Sequence, residues 1–329
     1  MKIILAAPNF PQPRGNTVTV RRIAAHLEKL GVQTEIVSTT EEVKPLPFGD
    51  LVHGFHAFYF YQFMQKLAER PDPYIVTMTG TDLNVDLFHP QKRGGVLSVL
   101  REAKAIHVFD EAAKTILLKE APEFEYKVFP IAQGATGFPP SGLPLEKEAG
   151  TFLYVLPAGI RKVKNIPSAI SALGKLHKKY PHLRLWLVGP VIEEAEAEIV
   201  LDLVERHSGW VCCIGELPHS EMGAVYQQAD AVLNTSLSEG QPAAILEAMS
   251  YGLPVLVSNV QGNSGMVENG STGYLYNDEQ EFLDYAEQLI NDDEARQRLG
   301  QRAKQYAAEQ HSSIREAEAL LKIYKSLLQ

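Results

Sequence analysis

The segment from Asp230 to Ser258 reads DAVLNTSLSEGQPAAILEAMSYGLPVLVS and combines a strand, a loop, a helix and a second strand. The short apolar runs DAVLN and PVLVS are typical of strands that are buried on both faces. Pro242 suits the first helical position, because its missing N–H would have no partner there, and Gly252 and Pro254 mark the helix end. The segment therefore predicts one strand–helix–strand unit of a parallel sheet.

Two glutamates of this segment, Glu239 and Glu247, enclose seven uncharged residues. Glu247 interrupts a helix whose Ala, Ile, Leu and Met side chains go nearly all the way round, so the helix is buried on most sides. An ionised carboxylate in that setting costs several kcal/mol, or shifts its pKa, unless another group hydrogen-bonds it. The sequence therefore predicts a partner for Glu247 from outside this segment.

The same alternation of strands and helices runs through both halves of the chain, from KIILAAP at the N-terminus and again from FLYVL onward. Strands that alternate with helices predict parallel, doubly wound sheets. A chain of 329 residues also exceeds the usual size of a single core. We therefore expect an α/β protein with two Rossmann-like, doubly wound domains that face a cleft.

A lapse in this alternation predicts the domain boundary. The stretch from Gln133 to Gly150, QGATGFPPSGLPLEKEAG, is rich in Gly and Pro and has no periodicity. We expect an N-terminal domain over residues 1–145 and a C-terminal domain over residues 150–311. The last segment, residues 312–329, is amphipathic and is expected to return to the first domain.

Composition and charge exclude several classes of function. The chain is 45% hydrophobic and 22% charged, and its net charge of -9 argues against a general binder of nucleic acid or of an anionic membrane. No apolar run approaches the roughly 18 residues that cross a bilayer. The neighbouring Cys212 and Cys213 are expected to be buried thiols rather than a disulfide or a metal site. We expect a soluble, cytoplasmic protein.

The loop that contains Glu239 leaves the carboxyl end of a strand, which is where open parallel sheets bind ligands. The helix start after this loop offers free backbone N–H groups and a partial positive charge that suit a phosphate. The residues at this helix start are Gly240, Gln241, Ala243 and Ala244. A carboxylate further along, such as Glu247, can accept hydrogen bonds from a ribose diol. For each glutamate the alternative is an ordinary salt bridge or a helix cap.

The run from Asp230 to Tyr276 resembles the signature of the family 4 retaining glycosyltransferases of the GT-B class, whose motif is Glu, seven residues and Glu. The similarity extends through PRGNTVTVRRIAAHL, TGTDLN, LPAGIRKVKN and LWLVGP. These segments are most similar to the branch of the family that is named for its glycosyltransferase 1 domain. The resemblance implies a nucleotide sugar as the donor, with Glu239 at the sugar hydroxyls and Glu247 at the ribose. It also implies that the C-terminal domain holds this donor and that the N-terminal domain holds the acceptor.

The segment LPAGIRKVKN supplies positive charge, because Arg161 and Lys164 follow the first strand of the second domain. A guanidinium fork and an ammonium group match a diphosphate that gains negative charge as it leaves. We therefore expect catalytic roles for Arg161 and Lys164 together with Glu239, and a solvated position for Lys162. Family members more often separate the Arg and Lys by a longer loop, and the alternative is that these residues are solvated at a surface turn.

Loops of the first domain supply further candidates for donor binding. Gly15 and Asn16 precede the first helix, where the resemblance implies backbone N–H groups that approach the reaction centre. The segment TGTDLN follows the strand YIVTM, and many relatives have a histidine near the position of Thr79, which bears on the identity of the donor. Asp82 is expected either to accept hydroxyl groups of the sugar or the acceptor, or to form the turn of its own loop.

No metal site and no cofactor are predicted. His53 and His56 lie three residues apart, but the sequence shows no further set of zinc ligands, so packing is the expected role of both, although one could line the cleft. The sequence also lacks an Asp-x-Asp pair at a strand end of the kind that holds a metal diphosphate. We expect the diphosphate charge to be met by Arg161, Lys164 and the helix dipole.

The sequence thus predicts a metal-independent, retaining glycosyltransferase that moves a sugar from a nucleotide diphosphate sugar to an unidentified small-molecule or glycan acceptor. The acceptor would attack on the same face of the sugar from which the diphosphate departs. Two alternatives stay open. One is a GT-B epimerase or a synthase of the selenosugar type, because TGTDL and the GIR-x-VK pattern also resemble those relatives. The other is a nucleotide-sugar sensor that binds without turnover, although such a sensor would not need charges for a leaving group.

Overall fold

The computed structural model describes residues 1–12, 14–41, 45–135, 137–138 and 142–329. They divide into two compact units. The first unit comprises Met1–Gly134, Glu239–Ala243 and His311–Gln329. The second unit comprises Ala135–Ser238 and Ala244–Gln310. Part of the predicted boundary, Thr136 and residues 139–141, lies outside the described residues.

Each unit contains one six-stranded parallel sheet, which confirms the predicted α/β class with two doubly wound sheets. The strands are β1 Lys2–Ala7, β2 Gln33–Ser38, β3 Leu51–Phe55, β4 Tyr74–Thr77, β5 Ala105–Val108, β6 Val128–Pro130, β7 Phe152–Pro157, β8 Leu183–Val188, β9 Val211–Gly215, β10 Ala231–Asn234, β11 Val255–Ser258 and β12 Tyr274–Tyr276. The strand orders are β2-β1-β3-β4-β5-β6 and β12-β11-β10-β7-β8-β9.

Helices lie between most of the consecutive strands and cover both faces of each sheet. The α-helices are α1 Gly15–Lys29, α2 Ala57–Met64, α3 Thr81–Asn84, α4 Arg93–Glu102, α5 Glu111–Glu120, α6 Ile166–His177, α7 Glu194–Arg206, α8 Met222–Gln228, α9 Ala243–Ser250, α10 Gln261–Ser264, α11 Glu279–Asn291, α12 Asp293–Gln310 and α13 Ser313–Leu327. Short 3-10 helices span Asp86–Phe88, Pro122–Lys127, Lys162–Lys164 and His219–Glu221. Pro242 lies immediately before α9 rather than at its first position.

The inner strands are largely apolar on both faces because each sheet has a core on either side. Ile4 and Ala6 of β1 belong to one buried cluster of the first unit, while Ile3 and Leu5 belong to another. Two further clusters enclose the second sheet in the same way. The prediction that Cys212 and Cys213 are buried is wrong, because β9 is an edge strand in which Cys212 is exposed and Cys213 is half-buried. Among the described residues, no helix has the length and apolar character that a bilayer crossing requires.

The chain order reverses once in each sheet, and these reversals decide where the loops of interest lie. In the first sheet β2 and β3 flank β1, and in the second sheet β8 and β10 flank β7. The loops that leave two neighbouring strands there diverge to opposite faces of the sheet. In an open parallel sheet the crevice between such loops is the usual place for a ligand.

The final helix α13 belongs to the first unit and packs against α1. Leu320 and Tyr324 join the same apolar cluster as Val20 of α1. Beside them, the Arg22 guanidinium donates from Nε and Nη2 to the two carboxylate oxygens of Glu316 at 2.9 and 3.0 Å. Both side chains are almost fully buried, and the bidentate geometry compensates the charge of the carboxylate and gives each of its oxygens a donor.

A buried chain of hydrogen bonds also connects α13 to the first sheet. His53 Nδ1 lies 2.7 Å from the Tyr324 hydroxyl, and His53 Nε2 lies 2.6 Å from the hydroxyl of Thr77. The Thr77 hydroxyl lies 2.8 Å from His107 Nδ1, and His107 Nε2 donates to the carbonyl of Ile131 at 2.9 Å. The carbonyl of Ile131 can only accept, so His107 carries its proton on Nε2. If both imidazoles are neutral, Thr77 then donates to His107 Nδ1 and accepts from His53 Nε2, and the Tyr324 hydroxyl donates to His53 Nδ1.

Neutral imidazoles are what this environment favours. Burial, and in second place the nearby His107, lowers the pKa of His53 well below its ordinary value. Burial likewise lowers the pKa of His107. The chain of hydrogen bonds is therefore a structural feature of the core, in agreement with the packing role that the sequence predicts for His53.

We predict that Thr77→Val destabilises the protein. The substitution keeps the shape of the side chain but leaves one nitrogen of His53 and one of His107 without a partner, which lowers the free energy of unfolding by about 2 kcal/mol. Urea denaturation at neutral pH, followed by circular dichroism, measures this change. Thr115→Val, on an exposed face of α5, is the matched control and should change stability by less than about 0.5 kcal/mol. Equal effects of the two substitutions would contradict the assignment.

Candidate functional site

In the second unit, the loops after β7 and β10 leave neighbouring strands at the reversal of the sheet. The basic loop, Arg161–Asn165, follows β7, and Thr235 follows β10. The Thr235 hydroxyl lies 2.9 Å from the carbonyl oxygen of Lys164, and the backbone N–H of Leu237 donates to the carbonyl of Val163 at 2.8 Å. These contacts fix the basic loop against the segment that leads to Glu239.

Arg161 is half-buried, and its Nε atom has no hydrogen-bond partner among the described residues. A buried N–H donor without an acceptor is uncommon in folded proteins and costs free energy unless a ligand or water pairs with it. Lys162 is exposed in the adjoining 3-10 helix, and its backbone N–H donates to the Glu193 carboxylate at 2.9 Å. Arg161 Nε therefore lacks an acceptor within the described part of the chain, whereas Lys162 lies on the outside of the loop.

The carboxylate of Glu247 has two protein partners that the sequence did not identify. Its Oε2 atom lies 2.8 Å from the hydroxyl of Tyr226 on α8, and its Oε1 atom lies 2.7 Å from Nε2 of His219. Glu247 itself is buried in α9. The predicted need for a partner from outside the segment is thus met within the second unit.

Aromatic rings surround this carboxylate. We call Glu247, Tyr226, His219, Phe138 and Tyr251 the glutamate cluster. The ring of Phe138 lies 4.9 Å from that of His219 and 5.8 Å from that of Tyr226, and the Tyr226 and Tyr251 rings lie 5.5 Å apart. Burial, with the charge of Glu247 as the second cause, raises the pKa of Tyr226 well above its ordinary value. Tyr226 is therefore a hydroxyl donor at neutral pH.

The motif loop, Glu239–Ala243, is grouped with the first unit, although the sequence places it in the C-terminal domain. The reason is its close approach to the loop after β4. The side-chain amide of Asn84 donates to the carbonyl of Glu239 at 2.9 Å. A Cβ atom at Gly240 would lie 2.5 Å from the carbonyl oxygen of Thr79 and 2.8 Å from Cα of Gly80, so only glycine fits at Gly240.

The side chain of Gln241 also serves this close approach. It is buried, and its Nε2 atom donates to the Asp110 carboxylate at 3.0 Å. Its Oε1 atom accepts a longer bond of 3.4 Å from the backbone N–H of Gln133. The Gln241 side chain is therefore used by protein partners. The donor-binding role predicted for Gln241 stays a prediction for its backbone, as it does for Ala243 and Ala244 at the start of α9.

The structure favours the turn-forming alternative for Asp82. The residue is buried, and its Oδ1 atom accepts hydrogen bonds from the backbone N–H groups of Thr79 and Gly80 at 2.8 and 3.0 Å. Its Oδ2 atom accepts from the backbone N–H of Ala57 at 2.7 Å. Asp82 is therefore a residue that shapes its loop rather than a ligand for sugar hydroxyls, because its carboxylate faces the protein backbone.

Other candidates of the first unit lie at the reversal of its sheet. Gly15 and Asn16 begin α1 after β1, Gly15 is exposed, and a Cβ atom there would meet nothing within 4 Å. His56 follows β3 with a left-handed backbone at φ 68°, and its Nε2 atom lies 3.8 Å from the carboxylate of Asp86. Among the described residues, no group of three His, Cys, Asp or Glu side chains is placed to hold a metal ion.

Comparison with known proteins gives one family. The chain matches the family model described as glycosyl transferases group 1 over residues 144–306. It is 30% identical over 312 residues to glycosyltransferase 1 domain-containing protein 1 of Xenopus tropicalis, and the alignment covers 91% of this chain and 90% of that protein.

Solved structures of similar length share the fold. HepE of Anabaena, in complex with UDP-glucose, matches with a TM-score of 0.79 at 18% identity and covers 99% of this chain and 100% of its own. Sucrose-phosphate synthase of Thermosynechococcus elongatus matches with a TM-score of 0.79 at 17% identity, over 99% of each chain. At these identities the similarity demonstrates a common architecture, that of the GT-B glycosyltransferases.

We predict that Gly240→Ala displaces the motif loop. The added methyl group has to overlap the backbone at Thr79 or Gly80, and such overpacking costs about 1–3 kcal/mol. Thermal unfolding measures the loss. Gly94→Ala, in α4 of the same unit, is the matched control, because a Cβ atom there meets nothing within 4 Å and alanine favours a helix. A Gly240→Ala protein as stable as the Gly94→Ala protein would show that the loop does not need the close approach.

Proposed function

The chain belongs to the glycosyl transferases group 1 family, and we propose that it transfers a sugar from a nucleoside diphosphate sugar to an acceptor with retention of configuration at the sugar. The observation that carries the proposal is the arrangement at the reversal of the second sheet. There the basic loop with Arg161 and Lys164 is hydrogen-bonded to the segment that leads into the motif loop. Buried Arg161 Nε, with no protein acceptor among the described residues, is available to an anionic ligand.

In the proposed reaction the bond between the anomeric carbon and the diphosphate oxygen breaks, and a bond from an acceptor hydroxyl oxygen forms on the same face. The departing phosphate oxygen takes the proton of that hydroxyl group. The protein supplies position and charge rather than a covalent nucleophile. Arg161 and Lys164 stabilise the diphosphate as its charge grows, and loss of one such donor typically reduces the rate about 10²- to 10³-fold.

The two glutamates have separate roles in this proposal. Glu247 binds the ribose of the donor, and Glu239 contacts the hydroxyl groups of the transferred sugar. Backbone N–H groups for the donor are proposed to come from Gly15, Asn16 and the start of α9. HepE binds UDP-glucose, so UDP sugars are the first donors to test, with a hexose as the transferred group. The acceptor is a small molecule or a glycan.

We predict different binding defects for the matched substitutions Glu247→Gln and Glu239→Gln. Glu247→Gln should weaken the affinity for UDP itself by about 10- to 100-fold, because hydrogen bonds to a charged group contribute about 1.5–3 kcal/mol. Glu239→Gln should leave UDP affinity within about twofold and reduce affinity for UDP-glucose, or turnover of it, by on the order of tenfold or more, because the lost contacts are at the sugar. Calorimetric titration of both variants with UDP and UDP-glucose gives these four affinities.

Circular dichroism and thermal unfolding of each variant control for loss of structure, since Glu247 also pairs with Tyr226 and His219. Equal loss of UDP binding in the two variants would mean that the motif acts as one nucleotide clamp, and the proposed separation of roles would be wrong. A wild-type protein that binds neither UDP nor any other nucleoside diphosphate would contradict the proposed reaction as a whole.

We predict that transfer, or slow hydrolysis of the donor, does not require a divalent metal ion, because Arg161 and Lys164 can neutralise the leaving diphosphate. The rate should stay within about twofold when EDTA is added. The Arg161→Ala protein, measured in parallel, shows the rate that remains without this charge. Activity that disappears in EDTA and returns with magnesium or manganese would contradict metal independence.

A further inference from the structure

The carboxylate of Glu247 has unused capacity for hydrogen bonds. An ionised carboxylate offers about four acceptor positions, two on each oxygen. The described residues fill one position on each oxygen, with Tyr226 at Oε2 and His219 at Oε1. Within the described part of the chain, one position on Oε2 and one on Oε1 therefore stay open in a residue that is 5% exposed.

A vicinal diol complements these open positions. Its two neighbouring hydroxyl groups present two donors, and a carboxylate accepts two parallel hydrogen bonds in a bidentate manner. The ribose of a nucleotide carries such a diol at its 2′ and 3′ positions. Two protein donors and two ribose donors together account for the four acceptor positions.

Both protein donors are held in place and have one possible direction. The Tyr226 hydroxyl is 2.8 Å from the carboxylate and 3.3 Å from the carbonyl oxygen of Ala244, so the carboxylate is its nearer acceptor. His219 must carry its proton on Nε2, because a carboxylate can only accept. The Phe138 ring contacts both the Tyr226 and the His219 rings and restricts their rotation.

The two donors differ in exposure. The Tyr226 side chain is buried, whereas the His219 side chain is 34% exposed. A ligand can therefore approach Glu247 from the side of His219 but not from that of Tyr226. This places Tyr226 behind the carboxylate and His219 at the rim of the ligand position.

We propose that Tyr226 and His219 are positioning residues that hold the carboxylate of Glu247 as a preformed receptor for the ribose diol, and so make the protein specific for ribonucleotides. The inference rests on the proposed function, because it takes Glu247 as the ribose ligand. Neither residue contacts the reacting atoms. Each acts by fixing one oxygen of Glu247 before the nucleotide arrives, so that the diol does not have to order the side chain itself.

The test compares the affinities of the full chain for UDP and 2′-deoxy-UDP by calorimetry. GDP and ADP are each compared with their 2′-deoxy forms in parallel. The wild-type protein should bind the 2′-deoxy nucleotide about 10- to 100-fold more weakly, because a buried acceptor loses its partner. In Tyr226→Phe the affinity for UDP should fall about tenfold and that for 2′-deoxy-UDP by less than about threefold. The preference for UDP over 2′-deoxy-UDP is therefore expected to decrease. The deoxy nucleotide loses less because it uses only one of the two oriented oxygens.

Tyr251→Phe is the matched control, because it removes a hydroxyl from the same cluster that makes no hydrogen bond to Glu247 among those described. It should leave the preference unchanged. His219→Ala should reduce the preference, and His219→Gln should restore it, because the glutamine amide places an N–H donor near the position of Nε2. Restoration by glutamine would not occur if His219 mattered only for packing.

The outcomes separate the inference from the proposed function. A wild-type protein that binds none of these nucleotides contradicts the proposed function and the inference together. A wild-type protein that binds UDP and 2′-deoxy-UDP equally removes ribose recognition by Glu247. If the wild type discriminates but Tyr226→Phe weakens both nucleotides equally, and His219→Ala keeps the preference, the positioning role is overturned while the glycosyltransferase function stands. Should Tyr226→Phe fail to fold, the His219 pair decides.

Discussion

A buried negative charge sets the organisation of the second unit. Glu247 lies in a helix that is apolar on most sides, and an unpaired carboxylate there would cost several kcal/mol. The chain meets this cost with donors from the segment before β10, which brings α8 and the adjoining 3-10 helix against α9. The same contacts place the aromatic rings of the glutamate cluster beside the carboxylate. Packing, charge and the proposed ligand position thus follow from one constraint.

Much of the architecture could be predicted from the periodicity of the sequence. The apolar runs of β1, β10 and β11 are typical of strands that are buried on both faces of a parallel sheet, and both sheets of the structure are parallel. The sequence also required a partner for Glu247. It did not identify Tyr226 or His219, which lie 21 and 28 residues before Glu247 in segments whose hydrophobic pattern is that of an ordinary helix and loop. A hydrogen bond between side chains leaves no mark on periodicity.

The same limit applied to the first unit. Asp82 in a Gly-Thr-Asp loop is compatible with a ligand or with a turn, and the three backbone N–H groups that it accepts from decide for the turn. The close approach of Gly80 and Gly240, and the ion pair of Arg22 with Glu316, join residues far apart in the chain. Amphipathicity predicts that α13 buries one face. It does not predict that Glu316 on this face pairs with Arg22, which lies 294 positions away in the sequence.

The hydrogen-bond chain from Tyr324 to Ile131 links the docking of the last helix to the chemistry of an imidazole ring. His53 Nδ1 accepts a hydrogen bond from the Tyr324 hydroxyl, so the ring proton lies on Nε2, which points to Thr77 inside the sheet. That proton can exchange with water only when the surrounding structure opens. The exchange rate of its nuclear magnetic resonance signal would therefore measure how often the structure around His53 opens, which includes the contact with Tyr324 of α13.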